Sequence, residues 1–386
     1  MKNRINLLIY FFAWSVGCLA QPAPHRADWM KGKYGIMVHW LTPWFGQLPP
    51  NAAVNPMPQR GEYISDLNAA VEGFNLGRFL RDFDQTGAEW LIFTIGQNHA
   101  TYASPNSVID SLCGPGHTAK RDLVLEIARA VRQRGKRFIA YLPVEMKAPA
   151  NESLWRGMGW LNQPGTDQAV FQKNYLKAIR EWSLRYGDLC DGWWFDGCYA
   201  SDRNYFSNTR MKWEEWYAAC RAGNPHAILA FNPGDMSNRE NSRPIRPEHD
   251  YLAGEIVVLI DGKLRLAKIN DDPSKLFMPS TAFVDGTNCL YHALPIVDAN
   301  WAYTGKPRVF ADWVNAPFKP YYPKGKRQMD PPLYPDEDLQ RFVKEFTRVG
   351  GAVTLNVGIF QEGHLGRKTI AQVRKLKKAI TSHEDH

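Results

Sequence analysis

Cysteine is scarce in this chain, six in 386 residues, and no Cys-x-x-Cys pair occurs. That excludes a disulfide-stapled scaffold and a thiolate zinc site. Apart from Cys18, the five at positions 113, 190, 198, 220 and 289 allow at most two bridges and leave one thiol over. Phosphate-cradling glycine loops of the dinucleotide or P-loop type are missing, so nucleotide chemistry has no signature here. No Gly-x-Ser-x-Gly elbow supports a serine nucleophile. His-x-His and His-x-x-x-His spacings are absent, and neither a metal nor another cofactor is expected. The only long apolar run is Ile5 to Ala13, too short for a membrane span of about 20 residues. Basic residues exceed acidic ones, 47 to 39, for a net charge of +8. They are scattered rather than gathered into a stripe interleaved with stacking aromatics, so no nucleic acid partner is expected. The sequence does not address oligomeric state.

Lys2 and Arg4 precede that apolar run, and Cys18-Leu19-Ala20 leads into Gln21-Pro22. This order of charge, apolar core and small residues is that of a secretory signal over residues 1–20, cleaved after Ala20. The Gly17-Cys18 step gives a lipoprotein as the alternative. Export to the periplasm or medium is the expectation, with residues 21–386 forming one domain.

What the mature chain has in quantity is alternation. Strand-length apolar runs at Tyr34–Trp40, Trp90–Gly96, Arg137–Pro143, Gly192–Gly197, Ile228–Gly234, Tyr251–Ile256 and Ala352–Gly358 each end near Gly, Asp, Asn or His. Amphipathic helices are expected at Phe74–Gly87, Arg121–Gly135, Val170–Tyr186, Met211–Ala222 and Asp336–Gly350. An eighth strand is expected between Leu276 and Val314. Strand and helix in alternation imply parallel strands with crossover helices, and eight strands would close a (β/α)8 TIM-like barrel. In such a barrel the chemistry sits at the carboxyl ends of the strands. The residues there are His39, Gln97, Asn98, His99, Tyr141, Glu145, Trp194, Asp196, Asn232, Glu255 and Asn356.

The 14 Trp, 16 Tyr and 19 Phe cluster at those strand ends beside Gly, Asp and His, which favours sugars as partners. Trp193-Trp194-Phe195-Asp196-Gly197 is the most informative run. An acid at the end of a buried aromatic strand is costly unless paired, and such a carboxylate is a candidate for catalysis. Asp-Gly is also a common turn dipeptide, so a structural role competes. Glycoside hydrolysis needs two carboxyl groups flanking the bond. Asp196 supplies the first. Glu255, followed by Ile256-Val257-Val258, has an apolar context that would favour a protonated acid, and Glu145 is the alternative second group.

The order of motifs resembles the α-L-fucosidases of glycoside hydrolase family 29. The resembling runs are Tyr34 to Trp40, Phe74-Asn75, Thr86 to Trp90, Lys120 to Leu123, Tyr141, Trp194-Phe195-Asp196-Gly197, Trp301-Ala302-Tyr303, and Gly350-Gly351 through Leu355 to Gly358. The resemblance implies a retaining double displacement by an exo-acting hydrolase of terminal α-L-fucosyl residues. Asp196 would be the nucleophile, Glu255 the acid/base, and His39, Trp40, Gln97, Asn98, His99, Tyr141, Trp194 and Trp301 would bind the sugar of a glycan substrate. After its second strand the family usually has Lys-His-His-Asp-Gly-Phe, whereas this chain reads Gly96-Gln97-Asn98-His99-Ala100-Thr101-Tyr102. Another sugar, such as an α-L-galactoside, or glycan binding without hydrolysis are the alternatives. The chain ends soon after its last expected helix, so a barrel without a carboxyl-terminal β-sandwich is expected.

Overall fold

The computed structural model describes residues 25–43, 56–97, 101–146, 152–200, 206–234, 236, 242–256, 278–298, 329 and 331–381. The expected leader at residues 1–20 lies outside this set, as do Asn98, His99 and Trp301.

Eight parallel strands form one sheet: β1 (Tyr34–Val38), β2 (Trp90–Thr94), β3 (Arg137–Pro143), β4 (Gly192–Asp196), β5 (Ile228–Phe231), β6 (Glu255–Ile256), β7 (His292–Pro295) and β8 (Ala352–Asn356). Their order is β5-β4-β3-β2-β1-β8-β7-β6. This is the curled α/β arrangement of a TIM-like barrel, but the ladder is open between β5 and β6. There the backbone contributes Asp250 N to Leu229 O (3.1 Å) and Met236 N to Glu255 O (2.8 Å), and the Asp250 carboxylate accepts Leu229 N (2.8 Å) in place of a carbonyl. The expected strand Tyr251–Ile256 is correspondingly reduced to its last two residues, with Tyr251 making an isolated bridge to Leu290. Gly254 is the cause: its φ of +74° interrupts the extended chain, and a Cβ there would lie 2.3 Å from His292 O.

Helices cover the outside of the sheet. They begin on side-chain caps where the sequence offers them: Asn75 Oδ1 accepts Arg78 N at the start of α2 (Leu76–Thr86), and Asp122 Oδ1 accepts Leu125 N at the start of α4 (Leu123–Arg132). The short α1 is Leu67–Glu72. Helices α3 (Ser107–Cys113), α5 (Glu152–Met158), α6 (Ala169–Tyr186), α7 (Trp213–Cys220), α8 (Asp336–Arg348) and α9 (Arg367–Thr381) complete the described set. None of the described helices is long and apolar enough to cross a membrane.

Strand periodicity splits the core into two layers. Ile36, Val38, Leu91, Phe93, Phe138 and Phe195 face the helices, while Met37, Trp90, Ile92, Ile139, Trp194 and Ile228 fill the space inside the curled sheet. Gly35 also faces inward, and its missing side chain leaves room for the Trp90 indole, whose Nε1 would stand 2.2 Å from a Cβ. That indole donates to Thr354 Oγ1 (2.8 Å), Thr354 bonds His292 Nε2 (2.7 Å), and His292 Nδ1 bonds Leu252 O (2.8 Å). The carbonyl can only accept, so Nδ1 carries the proton and the Thr354 hydroxyl donates to Nε2. Burial lowers His292 to about 4 and keeps it neutral. All five described cysteines are free thiols, so none of the bridges the composition permits is formed.

Candidate active site

The inward-facing register that places Trp194 and Ala230 in the interior carries on to the strand ends. Asp196 is two residues beyond Trp194, Asn232 two beyond Ala230, His39 two beyond Met37, Asn356 pairs in register with Met37, and Glu255 pairs in register with the inward-facing Leu294. Period two thus brings five polar side chains to one end of the sheet.

Asp196 is the centre. Its Oδ1 accepts Gly197 N and Asn232 Nδ2, both at 2.9 Å. Its Oδ2 accepts the Tyr141 hydroxyl at 2.6 Å and Gln97 Nε2 at 3.5 Å. Gln97 Nε2 also donates to the Tyr141 oxygen, which commits the phenolic proton to Asp196. Burial, followed by the neighbouring Asp196 charge, raises Tyr141 well above its ordinary range, so it stays a donor. Gly197 has a φ of +75°, a turn that only glycine adopts freely and that delivers its N–H to the carboxylate.

Asn232, fully buried, donates from Nδ2 to Glu255 Oε2 as well as to Asp196. Its Oδ1 accepts Gly234 N (3.0 Å), which fixes the amide with its nitrogen toward the two acids. The two oxygens that accept from this one amide nitrogen stand within two hydrogen-bond lengths, about 6 Å. Glu145 is also buried, on the Gly197 side, where a Cβ on Gly197 would be 3.7 Å from its Cγ. Of the two acids expected as partners, Glu255 is the one tied to Asp196 through a shared donor.

His39 lies edge-on to Tyr141, with ring centroids 4.9 Å apart, and its Nδ1 faces Asn356 Nδ2 at 3.5 Å. Burial lowers His39 to about 4 against the opposing pull of Asp196, which keeps the imidazole neutral. The Asn356 Oδ1 beside it is buried and has no hydrogen-bond partner among the described residues.

Two expected sugar-binding residues sit elsewhere. Trp40 follows the inward His39 by one residue and so points to the helix side, packed against Phe74 and Phe93 with Nε1 bonded to Gln361 O (2.9 Å). Trp194 lies one layer below Asp196, stacked 5.2 Å from Tyr141 and bonded to Ala253 O, where it supports the tyrosine instead of lining a pocket. Asn232 and Asn356 were legible as strand-end residues, but nothing in their local sequence singled them out for a role. Among the described residues no cluster of three or more His, Cys, Asp or Glu is placed to hold a metal ion.

No protein-family model and no curated protein sequence matches the chain. Solved structures do. The endo-fucoidan hydrolase P5AFcnA from glycoside hydrolase family 107 superposes with a TM-score of 0.62 at 15% identity, covering 94% of each chain. The two chains share one fold. MfFcnA4, another endo-fucoidan hydrolase of that family, gives 0.61 at 18% identity over 90% of this chain, which spans only 52% of that protein's length. The α-L-fucosidase AlfC from Lactobacillus casei, solved with α-L-fucose product, gives 0.55 at 16% identity over 94% of this chain and all of AlfC. The resemblance to family 29 fucosidases read from motif order therefore holds at the level of the fold, with the family 107 structures superposing more closely.

Proposed function

We propose that this protein is a retaining glycoside hydrolase acting on α-L-fucosyl linkages, with Asp196 as nucleophile and Glu255 as acid/base. The observation that carries the reading is the single amide of Asn232 bonded to both carboxylates. Retaining enzymes hold their two carboxyls about 5–5.5 Å apart, whereas inverting ones need about 6.5–9.5 Å to admit a water between acid and sugar. Two acceptors on one nitrogen keep their nearest oxygens within about 6 Å, which favours the first spacing over the second.

In this mechanism an Asp196 oxygen attacks the anomeric carbon as Glu255 protonates the departing oxygen. The glycosyl–Asp196 ester is then cleaved by water, from which Glu255, now a carboxylate, takes a proton. Tyr141, Gln97 and Gly197 N hold the nucleophile in orientation, and the neutral His39 bonds a sugar hydroxyl. The amino-terminal sequence supports an exported enzyme working on extracellular or periplasmic glycans through one barrel domain.

Release of nitrophenol from 4-nitrophenyl α-L-fucoside, with α-L-galactoside and α-L-rhamnoside controls, tests the reading. A 2-deoxy-2-fluoro fucosyl fluoride should label Asp196, seen as a mass increase on the peptide that contains it. Absence of both turnover and label overturns it. The closer superposition on endo-acting fucoidan hydrolases favours a second reading, in which the same pair cuts inside a fucan chain. Depolymerisation of fucoidan without release of nitrophenol would select it.

A further inference from the structure

Along a double displacement the negative charge does not stay in one place. It begins on the nucleophile, moves to the acid/base when the glycosyl ester forms, and returns when water cleaves the ester. Among the described residues the Asn232 amide touches both stations. We propose that Asn232 is a positioning residue whose amide follows this charge, strengthening its bond to Asp196 in the free enzyme and to Glu255 in the intermediate. The proposal rests on the retaining reading given above.

Three features of the site support it. The amide nitrogen donates to Asp196 Oδ1 (2.9 Å) and to Glu255 Oε2 at once, one hydrogen for each acid. Gly234 N on Oδ1 prevents the amide from turning its oxygen toward the carboxylates, so the nitrogen is held there without reorganisation. Asn232 is fully buried at the end of β5, where a neutral donor has its greatest effect and a cation would hold the charge in one place. No proton leaves Asn232 in either step. In the first, the Glu255 proton goes to the leaving oxygen as the Asp196 ester forms; in the second, a water proton goes to Glu255 as the ester breaks.

The titratable groups facing this pair among the described residues are His39 from β1, Tyr141 and Glu145 from β3 and its exit, and Cys198 and Tyr199 after β4. His39, Tyr141 and Cys198 are uncharged near neutrality because burial shifts each toward its neutral form. The acids left at the site are Asp196, Glu255 and Glu145, of which Asn232 donates to the first two. Removing a donor to a charged acid raises its pKa.

Asn232→Ala and the near-isosteric Asn232→Asp are compared with wild type, Asp196→Asn and Glu255→Gln on 2,4-dinitrophenyl α-L-fucoside and on fucoidan. Both Asn232 variants should lose about 100-fold in kcat, comparable with removing one preorganised donor. Glycosylation, read from the pre-steady-state burst, and deglycosylation, read from steady state, should both slow. Both limbs of the kcat/KM profile should move to higher pH by about one unit for Asn232→Ala. Loss of amplitude with unmoved limbs, or slowing of one half-reaction only, means a structural role and overturns the proposal. If Asn232→Ala does not fold, Asn232→Asp alone decides by the same slowing of both half-reactions. Activity in both Asn232 variants within threefold of wild type, with Asp196→Asn inactive, overturns this proposal and leaves the retaining reading standing. A wild type inactive on both substrates overturns both.

Discussion

The two ends of the sheet treat their aspartates in opposite ways. At the amino-terminal end Asp191 receives Arg132 (2.8 Å) and Arg137 (2.5 Å), and Asp250 receives Arg221 (2.7 Å) and Arg26 (3.5 Å). At the carboxyl-terminal end Asp196 receives Tyr141, Gln97, Asn232 and the Gly197 amide, with no Lys or Arg paired to it among the described residues. The first pair fastens strand beginnings: Asp191 also accepts Phe138 N, and Asp250 accepts Leu229 N at the open seam. A fixed cation suits a carboxylate that is to stay charged. A nucleophile that must become a neutral ester is better served by neutral donors, because a buried arginine beside it would lose its counter-charge at that moment.

Replacing Asp196 by Asn should separate the two ends most sharply. Turnover is expected to fall by at least about 1,000-fold. The melting temperature should stay within a few degrees of wild type, checked by calorimetry alongside the nitrophenol assay. Arg221→Met should do the reverse. It leaves Asp250 buried with only the longer Arg26 contact, at a cost of about 3 kcal/mol in urea unfolding, while kcat of the folded enzyme is unchanged.

Acidification addresses both ends together. Burial lowers His39 and His292 to about 4 and His249 to about 3, so all three are neutral in the folded protein below the pH at which they charge in the unfolded chain. Their folded pKa values lie below the unfolded value of about 6.5, so the unfolded state binds more protons as pH falls from there toward 4. Stability should therefore be complete above about pH 6.5 and decline below it, seen as a lower urea midpoint at pH 5 than at pH 7. The smallest effect is expected for Tyr141→Phe, which removes one of four donors to Asp196. A drop of about 10-fold in kcat and an acid limb moved upward are predicted from pH-dependent kinetics.

The sequence carried the strands well because their signal is local. Seven of the eight were visible as apolar runs with polar ends, and the helices expected from Phe74 and Arg121 begin two residues later, at Leu76 and Leu123. The eighth, His292–Pro295, was expected only somewhere between Leu276 and Val314, and the run read as Tyr251–Ile256 keeps only the two ladder residues beyond Gly254. Asp196 was legible from its aromatic strand. Trp40 was misplaced although the alternation that turns His39 inward turns its neighbour outward. Asn232 was the hardest to assign: its role arises from the meeting of β4, β5 and β6, and no spacing along the chain encodes that meeting.

Two successive displacements at one anomeric carbon by the Asp196–Glu255 pair would retain its configuration. Proton NMR during hydrolysis of 4-nitrophenyl α-L-fucoside, or of fucoidan if only that is cut, reads the configuration of the first-formed product before mutarotation. The α anomer appearing first is the predicted result; the β anomer appearing first would contradict it.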